Sequence, residues 1–411
     1  VDWQTSIKTA NFTAASGEGY FCNTSGGAFT LTLPSSPSVG DIVALKDYAS
    51  SFAAENLTVG RGGSNLNGNA ADFVADTDNL SLTLVYADAT KGWLSVEEGT
   101  GFIGLNFITA TGGTITTSGN CKIHTFTGPG TFCVSKAAST PTDNIVSHVV
   151  VAGGGGGGAN HGGGGGAGGY REVVSPSAPY TGSPLNGFPV APNKVTITAG
   201  AFPITVGAGG AGAQDGQPDH KGSTGSNSIF STIISAGGGG GAGEKTGSPP
   251  QAAGANGGSG GGGSSVAGPS PVPTGAAGTG NSPPVSPAQG TNGGTGFSDQ
   301  TTFRDGGGGG GATAVGAGSS SAPSSANPGG AGATSSINGT PTARAGGGGA
   351  GRTSSPGGSG GAGGGGGGSF NCGPDGTAAT ANTGGGGGGA GAGLNGGAGG
   401  SGIVIIRYKF Q

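Results

Sequence analysis

Runs of glycine are the feature that most narrows what this chain can become. Gly supplies 105 of the 411 residues. Beyond Ala152 it collects in tracts at 153–158, 162–169, 237–243, 257–263, 306–311, 346–351, 357–368 and 384–400. A glycine has no side chain to bury and loses more backbone entropy on ordering than any other residue. Such a tract therefore stays a flexible linker, or it is ordered by its own N–H and C=O groups. Three features point to order. Val149–Val151 runs directly into the first tract, Ile233–Ile234 into the third, and Ile403 leaves the last. Most tracts are of similar length. The chain also ends in an apolar strand, Ile403-Val-Ile-Ile-Arg-Tyr-Lys-Phe410, which a linker does not need.

The ordered solution is a bundle of polyproline-II-type arms. There is no Gly-X-Y period, so collagen is excluded. Arms of this kind have three residues per turn and no internal hydrogen bonds. Their backbone groups must pair with neighbouring arms, and only glycine allows the approach. An interior position such as Gly260 should then reject any bulky side chain, and alanines such as Ala167, Ala242 and Ala362 should mark outward faces. The segments between tracts become loops at the bundle ends: Asn160-His161, 244–255, 264–292, 312–328, 334–344 and 369–383. They carry most of the side-chain chemistry of the region, and binding residues concentrate on loops held by a rigid frame.

The rest of the chain reads as β-structure, and the expected class is all-β. In residues 1–100, Phe29, Leu31 and Leu33 alternate with Thr30 and Thr32, the period of a half-buried strand. Short apolar runs at 42–48, 57–59, 80–86 and 93–96 add strands, with Trp3 and Trp93 expected in the core of a sandwich- or barrel-like domain. Residues 101–152 are expected as a β connector, with 121–127 and 131–134 forming a hairpin about Gly128-Pro129-Gly130. Residues 153–411 form the glycine-rich domain, closed by a strand over 402–410.

Composition removes several functions. Charged residues are 8% of the chain and the formal net charge is −4. The Lys and Arg residues form no cluster, so nucleic acid is not an expected partner. No apolar run reaches the roughly 18 residues that span a bilayer, so no membrane insertion is expected. No secretion signal is legible, and the start at Val1 with no Met in the chain reads as a processed or partial product. Cys22, Cys121, Cys133 and Cys372 match no zinc pattern and are expected to be buried free thiols. His124 and His148 fall in strands, while His161, between two tracts, is expected to be exposed. No catalytic constellation, phosphate loop or metal motif stands out, so neither an enzyme nor a cofactor is expected.

Several segments resemble a known protein class. Gly17-Glu-Gly-Tyr-Phe21, Ala28-Phe-Thr-Leu-Thr-Leu-Pro34, Gly40-Asp-Ile-Val-Ala-Leu-Lys-Asp-Tyr48 and Leu82-Thr-Leu-Val-Tyr86 resemble a repeated β domain of tailed-bacteriophage fibres, above all those of cyanophages and marine phages. Lys122-Ile-His-Thr-Phe126, Ser147-His-Val-Val-Val-Ala-Gly153, Ile204-Thr-Val-Gly-Ala-Gly-Gly210 and Gly402-Ile-Val-Ile-Ile-Arg-Tyr408 resemble phage glycine-rich domains. The resemblance implies a virion tail-fibre adhesin in which a polyglycine-II scaffold displays receptor-binding loops. Its implied partners are a host surface polysaccharide or outer-membrane protein, other tail or baseplate proteins, and two further copies in a homotrimer. The alternatives are a purely structural shaft or filament, which should show repeats, and an ice-binding bundle, which needs short turns and a flat face. Aromatic and charged residues are scarce in this region, and they dominate binding hot spots. The candidate receptor contacts are therefore His161, Tyr170, Tyr180, Phe188, Lys245, Phe297, Phe303, Arg304, Arg344 and Phe370.

Overall fold

The computed structural model describes residues 1–96, 107–216, 218–244, 253–265, 275–299, 303–318, 326–354 and 356–410. These residues are all-β and contain no α-helix. The chain divides into two compact units, 1–106 with 138–140, and 107–137 with 141–411.

The first unit is a two-sheet sandwich. Strands Asp2–Lys8, Glu18–Cys22, Ile42–Asp47, Ser81–Asp88 and Gly92–Ser95 lie side by side in one sheet. Phe12–Thr13, Phe29–Thr32, Leu57–Gly60 and Phe73–Ala75 form the other. Up to residue 60 the chain alternates between the sheets. Neighbours in each sheet are therefore parallel, and a strand of the opposite sheet provides every crossover. The alternating pattern has the expected cause: Phe29, Leu31 and Leu33 point inward with Val43, Leu45, Leu57, Val59, Leu82, Leu84 and Trp93. Neither sheet closes on itself, so the barrel alternative does not hold. Trp3 also departs from expectation. It lies on the edge strand, 41% exposed, against Phe21 on the outer face, with ring centroids 5.0 Å apart.

The second unit begins with two more sheets. One contains Thr109–Thr111, Gly130–Lys136, Gly200–Thr205, Ser228–Phe230 and Ile233–Ser235. In the other, the C-terminal strand Ile403–Lys409 is central, antiparallel to Cys121–Phe126 on one side and Ile145–Val151 on the other. A central strand covered on both faces explains its unbroken apolar run. The expected hairpin does not form. Cys121–Phe126 and Gly130–Lys136 diverge into different sheets, where the first pairs with Ile403–Lys409 and the second with Gly200–Thr205. The strands of the expected connector share their sheets with Gly200–Thr205, Ser228–Phe230, Ile233–Ser235 and Ile403–Lys409. All four cysteines are free. Cys22 and Cys121 are buried as expected, but Cys133 and Cys372 are exposed.

Beyond these sheets the glycine tracts pack as polyproline-II-type arms, and the hydrogen bonds define their geometry. In the arm entered from Val151, the N–H groups of Gly153 and Gly156 donate to the carbonyls of Ser226 and Ser223. Gly154 and Gly157 donate to Gly400 and Gly397, and Gly155 and Gly158 to Gly166 and Gly163. The donors thus turn to three different antiparallel arms with a three-residue period. The carbonyls of the same arm accept from Gly238 and Gly241, from Gly210 and Ala213, and from Gly387 and Ala390, in three parallel arms. An interior arm is therefore hydrogen-bonded on six sides, and its backbone is its core. A Cβ built on Gly260 would fall closer than 3.0 Å to the Gly278 carbonyl, as the sequence predicts. Two of the three alanines differ from expectation. Ala167 and Ala242 are buried, and Ala167 joins Val149, Tyr170, Ile403 and Ile405 in an apolar cluster. Outward-facing alanines lie instead in an edge arm, at Ala208 and Ala211, while Ala362 is exposed in a turn.

Candidate functional site at the two ends of the glycine bundle

The arms run away from the sheets and back, so the bundle has a sheet end and a far end. Turns at 159–161, 214–216 with 218–221, 297–299 with 303–304, 369–375 and 391–395 gather at the far end. Residues 170–193, 281–288 and the hairpin Ala333–Ser335/Thr342–Arg344 lie at the sheet end. This divides the candidate residues into two groups. In each group two candidates contact a buried glutamate absent from the candidate set: His161 and Arg304, and Tyr170 and Tyr180.

At the far end that residue is Glu244. Its carboxylate accepts from His161 Nδ1 at 2.9 Å and from Arg304 NH1 at 2.8 Å. Its carbonyl accepts from His220 Nδ1 at 2.6 Å. A charge so enclosed needs several donors to offset its desolvation. Asn160, His161 and His220 all adopt left-handed backbone, with φ of 49°, 48° and 45°. Asn160 makes the tight turn and ties it to two neighbouring turns, donating to Asp215 Oδ1 at 2.8 Å and accepting from Gly393 N–H at 2.7 Å. His161, expected to be exposed, is instead buried at 5% exposure, because the arm reverses directly beneath Glu244. Its Nε2 is buried with no partner among the described residues.

Beside this cluster, buried Arg352 donates to Asp305 Oδ2 at 3.2 Å. Arg352 pairs through its backbone with Ser369 and Asn371, which flank half-buried Phe370. Phe297 opposes Asp305 in a two-residue hairpin, and Phe297 and Phe303 are both half-buried. Asp215, Asp219, Pro374 and Asp375 remain exposed on this end. Lys245 lies outside the described residues.

At the sheet end the buried acid is Glu172. It accepts from Tyr170 Oη at 3.2 Å, Tyr180 Oη at 3.0 Å, Ser335 Oγ at 2.6 Å and Ser183 N–H at 2.9 Å. Ser183 Oγ donates to it as well. Burial, followed by the Glu172 charge, pushes the Tyr170 and Tyr180 phenols far above their ordinary range, so both remain donors. Arg344 is buried nearby, and desolvation lowers its pKa. Tyr170, Tyr180 and Arg344 thus bind the 333–344 hairpin and the 180–183 turn to the sheets, which leaves Tyr170 and Arg344 almost no surface. Phe188 is half-buried at this end, in a separate turn where its N–H donates to Asn186 Oδ1 at 3.1 Å.

Neither glutamate was legible as a site. Glu244 is 83 residues from His161 and Glu172 is 163 from Ser335. Only the infrequency of acids among these glycines signalled them. No curated protein matches the chain. A model of the glycine-rich domain matches residues 127–409, from the turn before strand Gly130–Lys136 to the end of the central C-terminal strand. The chain belongs to the glycine-rich domain family.

Proposed function

We propose that the protein is a non-enzymatic phage tail-fibre adhesin that contacts a host surface receptor through the far end of its bundle. One observation carries the reading. Turns from at least five pairs of arms converge at that end, and their sequences are unrelated to one another. A backbone-cored bundle tolerates almost no sequence change, whereas its turns are free to vary. That division suits a surface under selection to recognise variable partners. Phe297, Phe303, Arg304 and Phe370 are the candidate contacts with surface to offer there. The buried Glu244 and Asp305 clusters hold them in place, which limits the entropy lost on binding. A shaft protein would gain nothing from irregular turns.

The test is cell adsorption by the intact chain after the far-end segments 214–219, 299–303 and 370–375 are replaced one at a time by short Gly-Ser turns. At least one replacement should abolish adsorption while the melting profile is kept. Full adsorption by all three would place recognition elsewhere. Trimeric assembly belongs to the same reading. It is supported by the apolar outer face of the first unit, where Trp3 and Ile7 are exposed beside Phe21. Sedimentation of the intact chain should give three copies, and a monomer would contradict it.

A further inference from the structure

An open cavity of about 680 Å3 lies at the sheet end of the bundle, away from the far-end turns. Its size is that of a small-ligand site. Ile234, 50% exposed, lines it together with Val190 in the wall 190–193 and Val285 in the wall 282–286. The walls are fixed before any ligand arrives. Asn281 Oδ1 accepts from Val285 and Gln289 N–H, and Gln289 Nε2 donates to Pro283 O at 2.8 Å. Asn193 Nδ2 joins the two walls by donating to Ser286 O at 2.9 Å.

The cavity lining offers several side-chain donors. Arg171 is half-buried in its lining and oriented by Asn193 Oδ1, which accepts from its NH2 at 2.5 Å. No carboxylate among the described residues pairs with this guanidinium. Burial lowers its pKa, with no acid opposing the shift. Asn227 spends its carboxamide oxygen on Gly237 N–H, and Asn256 on the Thr279 N–H and hydroxyl. Each keeps an NH2 group without a partner among the described residues. An uncompensated cation, two spare amide donors and flanking apolar side chains call for a ligand that is anionic, rich in oxygen and apolar on one face.

We propose that this cavity binds an acidic sugar unit, a uronate-type ring whose carboxylate pairs with Arg171, whose hydroxyls accept from Asn227 and Asn256, and whose C–H face lies on Ile234 and Val285. The inference needs nothing from the far-end turns, so it stands or falls apart from the adhesin reading. The test is calorimetric titration of the full chain with glucuronate and galacturonate, with glucose and galactose as neutral counterparts and hexanoate as an apolar carboxylate. Uronates should bind at least about tenfold more tightly than the neutral sugars, the value of one charge-assisted hydrogen bond, and more tightly than hexanoate. Arg171→Gln should remove that preference. Asn256→Asp, at an exposed position, should reduce the preference for uronates over neutral sugars by placing a second negative charge in the same cavity as the uronate carboxylate, and it keeps the claim testable if the arginine variant does not fold. No uronate binding, equal binding of glucose, tighter binding of hexanoate, or a preference that survives the folded variants would each overturn the proposal.

Discussion

The sandwich of the first unit and the glycine bundle of the second are both well packed, but they are filled by opposite means. In the sandwich the interior is side chain: Leu31, Leu45, Leu57, Leu84 and Trp93 are at most 1% exposed. In the bundle the interior is main chain, and arms such as 162–169 have six hydrogen-bonded neighbours and almost no side chains. A side-chain core loses stability when atoms are removed, by an amount that depends on the cavity left. A backbone core has nothing to remove and no room to add. The two regions should therefore respond to opposite kinds of mutation.

The largest effect should come from Gly165→Val. A Cβ at this position would lie closer than 3.0 Å to the Gly155 carbonyl, and the Gly165 N–H is itself fixed to Gly387 O. Neighbouring arms are held on all sides, so the strain cannot relax locally. A loss above about 4 kcal/mol is expected, in the exceptional range for one substitution. Calorimetry should show the glycine-rich unit melting early or not folding. An unchanged transition would mean that the arms are not packed as a lattice. The converse change, Leu45→Ala in the sandwich, should cost about 2–5 kcal/mol through an ordinary cavity, read as a lower denaturation midpoint with the same slope.

A third effect marks where side-chain packing gives way to backbone packing within the second unit. His148 lies on the strand that feeds the first glycine arm, fully buried against Phe230, and its Nδ1 has no partner among the described residues. Burial, followed by the Arg171 charge, lowers its pKa from 6.5 to about 3. The folded state therefore holds the imidazole neutral while the unfolded chain takes up a proton below pH 6.5. Stability should be full above that pH and fall as the pH drops toward about 3, with a loss of about 3 kcal/mol between pH 7 and pH 4 from this group. His148→Gln should flatten that part of the stability profile. An equally steep profile in the variant would assign the acid sensitivity to other groups.

How much of this could be read from the chain follows the same division. Side chains report their own environment, so the alternation at Phe29–Leu33 and the apolar run at Ile403–Ile406 located a half-buried and a fully buried strand. Glycines carry no such mark. The tract 357–368 looks like one long arm, but it reverses at 362–364, where Gly363 and Gly364 have φ of +104° and +92°. The tract 384–400 likewise turns near Gly393, with φ of +66°. Glycine populates both signs of φ, so nothing in the sequence separates an arm from its turn. The burial of His161 was hidden for a related reason. Its exposure depends on Glu244, brought to it by arms whose register no side chain announces.

The smallest expected effect tests the three-residue period most directly. Edge arms have neighbours on only some sides, so glycine is required at only some positions. In the arm 207–213, Gly207 and Gly210 are buried whereas Ala208 and Ala211 are exposed, three residues apart in each pair. The neighbouring arm repeats this, with Gly222 buried and Ser223, Thr224 and Ser226 exposed. A three-residue turn returns every third side chain to one face, so a face toward solvent can carry any small residue. Ala211→Ser should change stability by no more than about 0.5 kcal/mol, like other surface substitutions. Its neighbour should behave in the opposite way. A Cβ on Gly210 would lie closer than 3.0 Å to the Ser223 carbonyl, so Gly210→Ser should lower the melting temperature clearly although it leaves the same serine side chain in place. The pair isolates lattice geometry from composition, because both variants place a serine in the same arm one residue apart. Equal melting temperatures for the two would mean that this edge of the bundle is not held in the three-residue register that its hydrogen bonds describe.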